Sequence, residues 1–74
     1  MKMSELQDKD IINIKDGRNI GRIIDLEVSI EGKINYIIAE PTKFLRLSSF
    51  NKETNILFNQ IVRIGKDVIL VDLD

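Results

Sequence analysis

Ile24-Asp25-Leu26-Glu27-Val28-Ser29-Ile30-Glu31-Gly32-Lys33-Ile34-Asn35-Tyr36-Ile37-Ile38 alternates apolar and polar residues with period two on both sides of one glycine, which is the pattern of a β-hairpin. A loop of Ile30, Glu31 and Gly32, with Gly32 left-handed, sets Val28 against Ile34, Leu26 against Tyr36 and Ile24 against Ile38. A two-residue loop would instead oppose Ser29 to Ile34 and Val28 to Asn35. That slip turns the apolar set to water, so the longer loop is expected.

The same punctuation runs outward from this hairpin. Ile11 to Lys15 is a β-branched run ending at the hairpin signal Asp16-Gly17, and the strand pattern resumes from Asn19 to Val28. Gly21 stands inside that strand with no turn partner, which reads as a bend or bulge where a small sheet curls. In the second half Gln60 to Ile64 and Val68 to Asp72 flank Gly65-Lys66-Asp67, and a three-residue loop pairs Ile64 with Val68 and Val62 with Leu70. Ile56-Leu57-Phe58 adds a short strand before them. Ser4-Glu5-Leu6-Gln7 has capping-box spacing, enough for one helical turn.

Five or six short, strongly bent strands without a long helix imply an all-β fold, a small antiparallel β-barrel, since closure removes exposed edges. The expected core is Ile12, Ile24, Leu26, Val28, Ile34, Tyr36, Ile38, Val62, Ile64 and Leu70.

Composition bounds the rest. With 74 residues there is room for a single domain, residues 1–74, and folding a chain this short removes roughly 60% of its surface from water. The core is thin, and small domains compensate with a staple or a partner surface. The chain has no Cys and no His, which excludes disulfides, Cys and Ser-His nucleophiles, zinc sites and His-ligated haem. Oligomerisation or very regular packing remains as compensation, and self-association as a two-fold dimer is expected. Eleven basic and twelve acidic residues, interspersed, give a net charge of −1, no footprint for nucleic acid or an anionic membrane. No apolar run reaches transmembrane length and Met1-Lys2-Met3-Ser4-Glu5 lacks a hydrophobic signal region, so a cytoplasmic location is expected.

The stretch Pro41 to Thr54 departs from the alternation. Proline cannot donate to a ladder, so the preceding strand should end by Glu40. Beyond it come Phe44, Leu45, Leu47 and Phe50 with Lys43, Arg46 and Lys52, and no acid before Glu53. A loop folded over one end of the barrel, a surface that docks a second subunit or another protein, and a nucleic-acid or lipid contact all fit this composition. Phe44, Leu45, Arg46, Leu47 and Phe50 are therefore the candidate partner or self-association surface.

Catalytic and metal-binding constellations are weak. Asp25 and Glu27 share one strand face, but alternation makes it the polar outer one. Asp8, Asp10 and Asp16 match no calcium-loop spacing. Asp16-Gly17-Arg18-Asn19-Ile20-Gly21 lacks both the dinucleotide-binding fingerprint and a following helix. No catalytic residue, metal ligand or cofactor site is assigned.

The order Leu6, Asp10-Ile11-Ile12-Asn13, Gly17, Ile20-Gly21-Arg22-Ile23-Ile24-Asp25-Leu26-Glu27, Glu31-Gly32-Lys33-Ile34 resembles the first half of a PRC-barrel domain. Asn59-Gln60-Ile61-Val62-Arg63-Ile64-Gly65-Lys66-Asp67-Val68-Ile69-Leu70-Val71, with Met3-Ser4-Glu5-Leu6, resembles the YlmC/YmxH family of short PRC-barrel proteins of spore-forming Gram-positive bacteria. Pro41 to Asn55 is the least typical stretch. Phe58 stands where the family usually has tryptophan, which implies an aromatic in the core. The resemblance implies a sporulation-associated protein without an enzymatic role, acting as a protein-protein interaction or assembly module. It brings no catalytic or ligand residues. An RNA- or ribosome-associated accessory role, by fold analogy with the ribosome maturation factor RimM, is the alternative.

Overall fold

A computed structural model describes residues 1–41 and 53–73. The elements in chain order are α1 (Met3–Gln7), β1 (Asp10–Asn13), β2 (Asn19–Val28), β3 (Ile34–Glu40), β4 (Thr54–Leu57), a 3-10 turn (Phe58–Gln60), β5 (Ile61–Ile64) and β6 (Val68–Val71). Six strands make one sheet in the order β4-β3-β2-β1-β6-β5. Neighbouring strands are antiparallel except β1 and β6, which run parallel with Asp10 opposite Val68 and Asn13 opposite Val71. The sheet is barrel-like but not closed, with β4 and β5 at its two ends.

Curvature comes from β2, which serves two neighbours in turn. Near its start it pairs with β1, Ile11 opposite Gly21, and from Arg22 to Val28 it pairs with β3. Gly21 is the hinge between the two pairings, as its lone position in the strand predicts. Its φ is +124°, and a Cβ there would lie 1.9 Å from the Glu40 carbonyl oxygen and 2.8 Å from the Pro41 Cα. Only glycine lets the end of β3 close onto the bend. Asn19 supports it, its Oδ1 accepting the Gly21 N–H at 2.8 Å. Beyond Glu40 the strand stops at Pro41, as expected.

The hairpin loop is the one the alternation selects. Gly32, at φ +89°, donates its N–H to the Ser29 carbonyl at 2.9 Å, and Ser29 donates to Lys33 at 2.7 Å. Val28 then faces Ile34. The next pairs differ from expectation, because Asn35 is an extra residue on β3 and Ile24 an extra residue on β2. Glu27 opposes Tyr36, Leu26 opposes Ile37 and Asp25 opposes Ile38, after which Ile23 and Ala39 restore the original register. Each bulge turns the following residues to the other face.

The second hairpin also departs from expectation. Gly65 donates to the Val68 carbonyl at 2.8 Å, so the loop is the two residues Lys66 and Asp67, and Ile64 opposes Ile69 rather than Val68. Val62 is a bulge residue, and Arg63 takes its expected place opposite Leu70.

The core is therefore Ile11, Ile20, Ile23, Ile37, Ala39, Ile56, Ile69 and Val71, and this corrects the expected set. Leu26, Ile34 and Ile64 pack half-buried against it. Ile24, Val28 and Val62 are exposed, while Ile12, Tyr36, Ile38 and Leu70 are only half-buried. Phe58 sits exposed in the 3-10 turn, not in the core.

Two smaller differences have local causes. Asn13 ends β1 before Lys15, because its carbonyl accepts the N–H of Gly17 (φ +72°) at 2.7 Å to close the turn. Asn13 itself is 7% exposed, and its Oδ1 accepts from the Lys15 and Leu73 N–H groups, each at 3.3 Å. The N-terminal turn begins at Met3, where the Lys2 N–H donates to Glu5 Oε1 at 3.2 Å, in place of a Ser4–Gln7 box.

Gly21→Ala is expected to cost roughly 3 kcal/mol or more, since a methyl group meets rigid backbone at a strained φ. That is comparable to the whole stability of a domain this small, so far-UV circular dichroism should show a largely unfolded variant. Ile37→Ala is expected to cost ~2–5 kcal/mol, whereas Ile24→Ala on its exposed bulge stays below ~1 kcal/mol. Urea midpoints of the pair check the assigned face.

Candidate interaction surface

The candidate residues Phe44, Leu45, Arg46, Leu47 and Phe50 lie outside the described residues. What the structure does describe is the outer face of the sheet, built by the bulges. Leu26, Ile37 and Ile56 lie in register across β2, β3 and β4 toward the core. Alternation turns the adjacent rows outward: Asp25, Ile38 and Asn55 in one, Glu27, Tyr36 and Leu57 in the other.

Glu27 is held in place on this face. The Tyr36 hydroxyl donates to its Oε2 at 2.9 Å and Asn35 Nδ2 to its Oε1 at 3.4 Å. Asp25 Oδ1 accepts the Leu26 N–H at 2.8 Å. The hydrogen bond to Glu27, then that carboxylate's charge, raises the Tyr36 pKa above its ordinary 10.0, with desolvation and Asp25 adding in the same direction. The arrangement holds a phenol protonated beside a fixed carboxylate. Both acids are exposed, as alternation predicts for the polar face.

A second exposed set follows along the chain. Leu57, Phe58 and Val62 are 52%, 45% and 56% exposed. Gln60 fixes the turn that joins Leu57 on β4 to Val62 on β5: its Oε1 accepts the Leu57 N–H at 2.9 Å, and its carbonyl accepts the Asp72 N–H at 2.9 Å. Sequence reasoning missed this set. The signal was available in Ile61-Val62-Arg63-Ile64, where two apolar neighbours break the alternation and announce a bulge.

The remaining acids are dispersed. Asp10 Oδ1 accepts from Arg22 Nε at 3.1 Å, and Asp16 Oδ1 accepts the Arg18 N–H at 2.9 Å. Among the described residues no three acidic, His or Cys side chains gather to hold a metal ion, and no helix is long and apolar enough to cross a membrane.

Tyr36 is the single tyrosine, so phenolate absorbance reports it alone. Its folded-state pKa exceeds its unfolded value, so the stabilisation is complete below pH 10.0 and is lost as pH rises through the folded value. Glu27→Gln is expected to move the titration back toward 10.0, by more than Asp25→Asn does.

The sequence matches the PRC-barrel domain family over residues 1–74. It is 39% identical over 75 residues to the probable sporulation protein YlmC of Bacillus subtilis (strain 168), covering 99% of this chain and 93% of that protein. It is 29% identical over 76 residues to the uncharacterized protein YmxH of the same organism, covering 99% of this chain and 89% of that one. The bent six-stranded sheet and these full-length matches agree: the chain belongs to the PRC-barrel domain family, in its YlmC/YmxH sporulation-related group.

Proposed function

We propose that this protein is a non-enzymatic, cytoplasmic, sporulation-associated module that assembles with other protein chains. The observation that carries the reading is the exposure of Leu57, Phe58 and Val62, large apolar side chains about half exposed at the end of β4, in the 3-10 turn and on the bulge of β5, with Gln60 pinning the turn between the two strands. Large apolar side chains held out to solvent on fixed backbone mark a contact surface. The likeness to a probable sporulation protein over nearly the full length of both chains supports the sporulation setting. Self-association as a two-fold dimer belongs to the same reading, because a small core leaves stability to be gained at an interface and the unclosed sheet ends in β4 and β5. The RNA-associated alternative has against it a net charge of −1, which offers phosphates little attraction.

The test is affinity purification of the tagged wild type and of a Phe58→Ser/Val62→Ser variant from sporulating cells, with and without nuclease, quantified by mass spectrometry. Proteins enriched on the wild type should survive nuclease and fall at least about tenfold on the variant, a loss of roughly 1.4 kcal/mol. Partners released by nuclease would move the assignment to an RNA-associated role. Equal recovery on both baits would remove this surface. Sedimentation velocity over a concentration series checks the dimer.

A further inference from the structure

We propose that the outer face of β2, β3 and β4 docks an extended polypeptide segment of a partner protein that carries Arg or Lys and apolar side chains at every second position, so that both kinds share one side. This rests on the interaction-module reading and names a surface and a partner chemistry for it.

The face has two parts in register. Ile38, Leu57 and the ring of Tyr36 give an apolar floor, and Asp25 and Glu27 stand beside it on β2. The bulges at Ile24 and Asn35 bracket these positions, and bulges re-aim the side chains between them. Among the described residues neither carboxylate has an ion-pair partner. The nearest cation in the ladder, Arg22, is held by Asp10 at 3.1 Å. Glu27 is fixed by Tyr36 and Asn35 before any partner arrives, which reduces the ordering cost of binding.

Charge complementarity sets the occupant. A guanidinium can meet a carboxylate with two parallel hydrogen bonds and stack on the neighbouring aromatic ring. Apolar residues on either side of it would cover Ile38 and Leu57. Phosphate backbones and anionic lipid surfaces are repelled by the same two acids, which leaves a cationic, partly apolar polypeptide.

The test uses the full chain labelled with nitrogen-15, titrated with the synthetic peptide Leu-Ser-Arg-Ser-Leu-Ser-Arg-Ser, whose Leu and Arg side chains share one side when extended, and with its counterpart carrying Glu in place of Arg. The Arg peptide should give saturable amide shifts confined to Asp25–Glu27, Asn35–Ile38 and Asn55–Leu57, and the Glu peptide none. Asp25→Asn/Glu27→Gln should bind the Arg peptide at least about tenfold more weakly while keeping the dispersed amide spectrum of the folded chain, and Phe58→Ser/Val62→Ser should bind it like the wild type. Absence of shifts, scattered shifts or equal binding of the two peptides would overturn the proposal. So would altered self-association of the Asp25/Glu27 variant in sedimentation velocity, which would assign the face to a second copy of the chain. If the cellular partners are retained through Phe58 and Val62 while the peptide fails to bind, this inference falls and the interaction module stands.

Discussion

The approach of the Glu40 carbonyl to Gly21 is the constraint on which the sheet depends. With 1.9 Å between that oxygen and the place of a Cβ, no other residue can occupy the bend. The contact lets β2 leave β1 and pair with β3 within one ten-residue strand, so two small ladders share a single core. A straight β2 would give a flat sheet with one apolar face open to water. Bending lets isoleucines from both ladders meet.

Much of this was legible in sequence because turns carry local chemistry. Gly32 declared a left-handed loop position, Asp16-Gly17 declared a turn, Pro41 declared the end of a strand, and the isolated Gly21 declared the bend. The buried face was not legible for a physical reason. Period-two reasoning assumes an unbroken strand, and here extra residues at Ile20, Ile24, Asn35 and Val62 each reverse the alternation. Two of them, Ile24 and Asn35, lie on opposite strands and cancel, so the register agrees with expectation at both ends of the hairpin and differs by one in the middle. Isoleucine-rich sequence hides this, since either face of Ile23-Ile24 or Ile37-Ile38 reads as apolar.

The candidate surface was less legible still. Alternation placed Asp25 and Glu27 outside, but nothing local to those residues shows that Tyr36 lies opposite Glu27, because that pairing exists only through the bulge at Asn35. Likewise Val62 reads as core until the bulge between Ile61 and Arg63 leaves it without a partner on β6. In both places an irregularity that weakens the ladder also turns a side chain toward solvent, where a partner can meet it.

The parallel pairing of β1 with β6 has a kinetic consequence. Asp10 and Val68 are far apart in the chain, yet Ile11 and Ile69, neighbours across that pair, both belong to the buried core. Loop-closure entropy must be met before such a contact returns any energy, so folding should be slow for a chain of this size. The hairpin of β2 and β3, closed by local turns, is suited to form early and to wait as an incomplete sheet. The joining of β1 to β6 then acts as the committing step. Opening that seam would expose Ile11, Ile69 and Val71 together, making the seam the place where the native state is most vulnerable to aggregation.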